Sequence, residues 1–100
     1  MKILALLTPA EGASPGDFGP YFVAEEKAVW ALYKAGTLRE LYFQPEPVAV
    51  SLVFEGATKA EVRAAIDGFP MVKAGLLDIQ LVALGPWVPL EALFEPAHRG

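Results

Sequence analysis

Two apolar stretches, 38–44 (LRELYFQ) and 48–55 (VAVSLVFE), stand on either side of Pro45-Glu46-Pro47, and this pairing limits the fold more than any other feature of the chain. Both stretches are rich in aromatic and branched aliphatic residues, which suit a pleated, half-buried surface. The prolines between them cannot donate to a sheet ladder and break the run. Three residues are too few for the crossover that parallel strands require, so the two stretches pair antiparallel as a hairpin. Strict alternation along the first sets Leu38, Glu40, Tyr42 and Gln44 on one side and Arg39, Leu41 and Phe43 on the other.

A helix and a further strand flank the hairpin on each side. Upstream, 2–7 (KILALL) is a short apolar run ended by Thr8-Pro9 and reads as a buried strand. Residues 10–19 hold three glycines and a proline and are expected to form a loop. Pro20 suits a first helical turn, where its missing N–H costs nothing. The helix is expected over 20–35, with Glu25 and Glu26 toward its start and Lys34 at its end, the signs that the macrodipole favours. Gly36 then supplies the left-handed residue that ends it. Phe22, Glu26, Val29, Tyr33 and Gly36 fall on one line at helical spacing, with Trp30 beside it, and the apolar surface exceeds half the circumference. Downstream, Thr58 and Glu61 form a capping-box pattern, and a helix is expected from there to Asp67. Gly68 ends it and Pro70 prevents resumption. After a loop over 71–75, the run 76–84 (LLDIQLVAL) is the last strand, stopped by Gly85-Pro86.

The order is βαββαβ, an α+β, ferredoxin-like arrangement: a four-stranded antiparallel sheet with both helices on one face. The domain spans 1–86. The tail, 87–100, carries Trp87, Val88, Leu90, Leu93 and Phe94 and is expected to pack on the domain or on a dimer partner. Two helices cover one sheet face and leave the other open. Composition bears on this point: 54% of the 100 residues are hydrophobic and 20% charged, against about 45–50% and about 25% in average domains. A small domain has little interior in which to hide that excess. A homodimer with the two open sheets face to face would bury it, and assembly beyond the dimer is left open.

Several classes are disfavoured. There is no cysteine for a disulfide or a thiolate nucleophile. The net charge is −4, with no basic patch for nucleic acid. No stretch approaches the roughly 18 apolar residues of a membrane span, and the first apolar run is too short for a secretory signal, so the expected location is cytoplasmic.

Residues 23–56 resemble the muconolactone isomerase-like group of dimeric α+β barrels. The resemblance rests on Glu25 near the helix start, the terminal Gly36, and then Thr37, Leu38, Arg39, Leu41 and Tyr42. It continues through 51–55 and Phe69-Pro70 into the last strand, at low identity. It implies a ferredoxin-like dimer with a pocket between the first helix and the sheet. It also implies a cofactor-free isomerase that moves a proton between carbons of a small unsaturated lactone. The chain is less polar than the group's named member at Phe43, Pro45, Pro47 and Val50, so the fold transfers more directly than the reaction.

Candidate chemistry follows from single residues. Glu25 or Glu26 can act as a general base if desolvated beside aromatic rings, and otherwise helps the helix dipole. Arg39 can hold the carboxylate of a small organic acid, or else form a structural ion pair. Trp30, Tyr33, Tyr42 and Phe54, with Phe43, can line a site for an apolar ligand or serve packing. The only histidine, His98, lies in the tail. No metal-ligand spacing, phosphate loop or nucleophile motif is present, so neither metal nor cofactor is expected. Three functional classes remain: a cofactor-free isomerase, a non-catalytic dimeric module that binds a small apolar ligand or a protein partner, and, behind these, a purely structural dimer.

Overall fold

The structure is a computed structural model that describes residues 1–98; residues 99 and 100 and the side chain of His98 lie outside the described part. Four strands, β1 (Lys2–Pro9), β2 (Leu38–Pro45), β3 (Val48–Glu55) and β4 (Leu77–Leu84), form one antiparallel sheet in the order β2-β3-β1-β4. With the helices between them this is the βαββαβ arrangement expected from the sequence.

Helix α1 (Pro15–Phe18) and a 3-10 turn (Gly19–Tyr21) precede the long helix α2 (Phe22–Lys34). The glycine-rich segment is therefore partly helical. Ser14 starts it: its N–H donates to Asp17 Oδ2 at 2.8 Å, and its hydroxyl donates to the same oxygen at 3.1 Å. Gly36 ends the α2 region at φ +86°, the left-handed conformation foreseen for it. Helix α3 (Lys59–Asp67) begins at the capping box: the Glu61 N–H donates to Thr58 Oγ1 at 3.1 Å. A short fourth helix, α4 (Pro70–Lys73), replaces the loop expected around Met71, with Pro70 at its first position.

Alternation along β1 divides the sheet cleanly. Ile3, Ala5 and Leu7 are at most 2% exposed beneath the helices, whereas Leu4 and Leu6 between them are only half-buried. Leu38, Leu52, Phe54, Val62, Ile66 and Phe69 complete the core, and Ala28, Val29 and Leu32 of α2 pack against it. The face of α2 that meets the sheet is thus Glu25, Ala28, Val29 and Leu32, turned from the expected line through Phe22, Glu26 and Tyr33. Small Ala28 lets the helix approach closely, and the Trp30 and Tyr33 rings stay outside.

Strand β2 departs from strict alternation. Leu38 pairs with Phe54 and Glu40 with Val53, so Arg39 is an extra, bulged residue. The bulge brings Leu38 onto the same face as Leu41 and Phe43 and leaves Arg39 exposed. Burying Leu38, which is 1% exposed, outweighs the broken ladder.

The opposite sheet face carries Leu4, Leu6, Val53 and Val82 at its centre, all half-buried, and no helix of the described residues covers it. After β4 the chain leaves the domain as 3-10 helices, Val88–Phe94 and Pro96–His98. Trp87, Val88, Leu90, Leu93 and Phe94 are 55–73% exposed. The radius of gyration is 17.3 Å and the longest extent 60 Å, against about 13 Å for the radius of a compact 100-residue domain. The tail is a projecting apolar arm.

Candidate functional site

An open cleft of about 820 Å³ lies between the sheet and the helices, at the end where β1 stops and β4 starts. Its floor is the helix-facing side of the sheet: Leu7, Val50, Leu52, Leu77, and the Leu41 and Phe43 that the bulge turned inward. Phe18 of α1 and Phe22, Glu25, Glu26 and Val29 of α2 form one wall; Phe69 and Met71 close the back. Glu46, Pro47 and Val48 of the hairpin turn form part of the rim. The volume suits a small organic ligand, and the lining is overwhelmingly apolar with a few polar groups, as ligand sites usually are.

The polar group that reaches deepest is Glu25, 7% exposed. Pro70 starts α4 and leaves the next amide, that of Met71, without an intrahelical partner. This N–H donates to Glu25 Oε1 at 2.9 Å and fixes the carboxylate across 46 residues of sequence. Oε2 accepts no hydrogen bond among the described residues. No buried side-chain polar atom there lacks a partner, so Oε2 keeps access to solvent. Burial among apolar side chains pushes the Glu25 carboxyl above its usual range; the Met71 N–H opposes the rise and the neighbouring Glu26 charge adds to it. A carboxylate tuned this way is nearer to the proton affinity of an enol than an ordinary surface glutamate.

Of the residues singled out from the sequence, Glu25, Glu26, Tyr42 and Phe43 line this cleft. Tyr42 is exposed and its hydroxyl donates to Glu40 Oε1 at 2.8 Å. That bond, with the Glu40 charge, holds its phenol above the ordinary range. The other four lie elsewhere. Phe54 is fully buried at the centre of the core. Trp30 and Tyr33 stack on each other on the outer side of α2, ring centres 5.9 Å apart. Arg39 sits on the bulge, and its Nε donates to the carbonyl of Gly36. It caps the end of the α2 region. No Lys, Arg or His among the described residues lines the cleft. No group of three or more acidic, His or Cys residues among those described could hold a metal ion.

Phe18, Phe22, Leu41, Glu46, Val50 and Met71 belong to the cleft but were not foreseen as site residues. The one sequence signal that could have found some of them is the excess of apolar residues at Phe43, Pro47 and Val50, where the resembling group is more polar. Met71 carries no signal, because it contributes a backbone amide.

No helix of the described residues is long and apolar enough to cross a membrane. No family model and no curated protein sequence matches the chain. Among solved structures, the chain is similar to TftG, the 5-chloro-2-hydroxyhydroquinone dehydrochlorinase from Burkholderia phenoliruptrix AC1100, in its complex with 2,5-dihydroxybenzoquinone. The TM-score is 0.69 over 85% of this chain and 94% of that one, at 16% identity. A likeness at that identity carries the fold alone: ferredoxin-like, βαββαβ around a four-stranded antiparallel sheet.

Proposed function

We propose that the chain is a cofactor-free enzyme that moves a proton between carbon atoms of a small, unsaturated cyclic compound, with Glu25 as the base. The observation that carries this is the buried Glu25 carboxylate, held at one oxygen by Met71 N–H and accessible at the other, in an apolar cleft. In the forward step Oε2 takes a proton from a carbon next to a conjugated carbonyl, and the electron pair passes into an enolate. The protonated Glu25 then returns the proton to the far carbon, which shifts the double bond. Phe18, Phe22 and Phe43 keep water from the enolate. Glu26, on the same helix and at the cleft, is the reserve base. The cleft, 94% coverage of a dehydrochlorinase chain by the fold match, and the resemblance to muconolactone isomerases all support an isomerase or a related proton-transfer enzyme.

The working unit we propose is a homodimer joined through the open sheet faces, with the projecting arm covered by the partner. The half-buried Leu4, Leu6, Val53 and Val82 and the exposed Trp87 and Phe94 support it. A clean 10.7 kDa monomer in sedimentation at micromolar concentration would contradict it.

The catalytic reading is tested by incubating the protein with unsaturated five-membered lactones in heavy water and following C–H exchange by NMR. Exchange should occur and fall about 10²- to 10⁴-fold in Glu25→Gln. If none of the lactones exchanges, the second reading takes over: a non-catalytic module holding an apolar ligand in the same cleft.

A further inference from the structure

Among the described residues, every ionisable one that lines the cleft, apart from Tyr42, carries a carboxylate: Glu25, Glu26 and Glu46. Arg39, the cation that the sequence offered as an anchor for an acid, is bound to Gly36 outside it. We infer that the cleft selects an electrically neutral ring bearing a hydroxyl group, and that its carboxylates exclude organic acids. This rests on the cleft being the ligand site, as in the proposed function.

Three considerations converge. A ligand carboxylate would lose water among apolar walls with no cation to compensate, a cost that pairing normally offsets. It would also meet like charges on the way in, and like-charge juxtaposition is a strong means of rejecting the wrong partner. Glu26 and Glu46 are exposed, Glu46 on the hairpin turn and Glu26 on α2 one residue beyond the buried Glu25. Their role is therefore at the mouth, as a screen against anions. The remaining oxygen of Glu25 accepts hydrogen bonds, and one O–H donor satisfies it. An ammonium would be attracted by the charge, but it brings three donors, and the deep part of the cleft offers one free carboxylate oxygen among Leu, Val, Phe and Met side chains. A neutral hydroxylated ring leaves nothing unpaired.

The test uses one ring with three head groups: 2-naphthol, 2-naphthoate and 2-naphthylmethylamine, titrated into the intact protein by calorimetry at pH 7.5 and low salt. Naphthol should bind at least about tenfold more tightly than naphthoate. The Glu26→Gln/Glu46→Gln variant, checked for a native melting curve, should narrow that gap by strengthening naphthoate. Equal or tighter binding of naphthoate overturns the inference. So does an unchanged gap when Glu25, Glu26 and Glu46 are all replaced by Gln. Tightest binding by the amine assigns the site to cations instead, and binding of none of the three also overturns it. Lactone exchange is read separately: selectivity without exchange sinks only the catalytic reading, and exchange without selectivity sinks only this one.

Discussion

The two faces of the sheet are built from the same strands and differ in what they meet. On one, Ile3, Ala5, Leu7, Leu52 and Phe54 are sealed under α2 and α3. On the other, Leu4, Leu6, Val53 and Val82 are comparably apolar, yet remain half-exposed. Alternation alone distributes apolar residues to both faces; the two helices can cover only one. The chain therefore has a finished core and an unfinished one, and the cleft opens at the edge of the finished one, where the helix layer ends before the sheet does.

The sharpest way to separate the faces is to damage each. Phe54→Ala removes a ring from the sealed side and should cost about 3–5 kcal/mol of stability in urea unfolding. Leu6→Asp puts a charge on the open side. It should leave the fold of the subunit intact but weaken self-association at least about a hundredfold, roughly 2.7 kcal/mol, in a sedimentation dilution series. If Leu6→Asp unfolds the chain outright and Phe54→Ala is tolerated, the contrast between the faces is wrong.

Glu25 tests the edge between them. Burial raises its folded-state pKa above the unfolded value. The folded state then binds more protons than the unfolded one between those two pKa values, and stability falls as pH rises through that window. The loss is absent below the usual carboxylate range and complete above the raised value. Glu25→Gln should therefore melt higher than the parent at pH 7 and lose that advantage at pH 3. In the parent, lactone exchange should rise with pH on a limb centred above the ordinary glutamate value of 4.5. The smallest effect belongs to the outer side of α2. Trp30→Ala removes an exposed ring and should change stability by about 0.5 kcal/mol, with no change in naphthol affinity. A large loss of affinity would mean that the cleft extends across the helix.

Much of the architecture was legible in local patterns. The hairpin followed from Pro45-Glu46-Pro47, the second helix from Thr58 and Glu61, and the end of the first from Gly36, because each depends on neighbours within a turn of chain. The face of α2 was misjudged because Trp30 and Tyr33 are as apolar as the residues that pack, and hydrophobicity does not say which will fit against a sheet. The site was legible only in part. Glu25, a carboxylate near aromatic rings, lies in the cleft, and Arg39 lies on a bulge that alternation does not encode.

What the residues determined by themselves is the set of elements and their order, since capping, glycine φ angles and two-residue periodicity act over a few bonds. The tertiary structure decided where charge goes. It decided that Arg39 turns out to Gly36, and that Met71 N–H reaches Glu25 across 46 residues. It also decided that the carboxylates at the cleft have no cation among them from the described residues. These outcomes depend on which surfaces win burial when distant segments compete for one face of a sheet, and that competition is settled only when the whole chain packs.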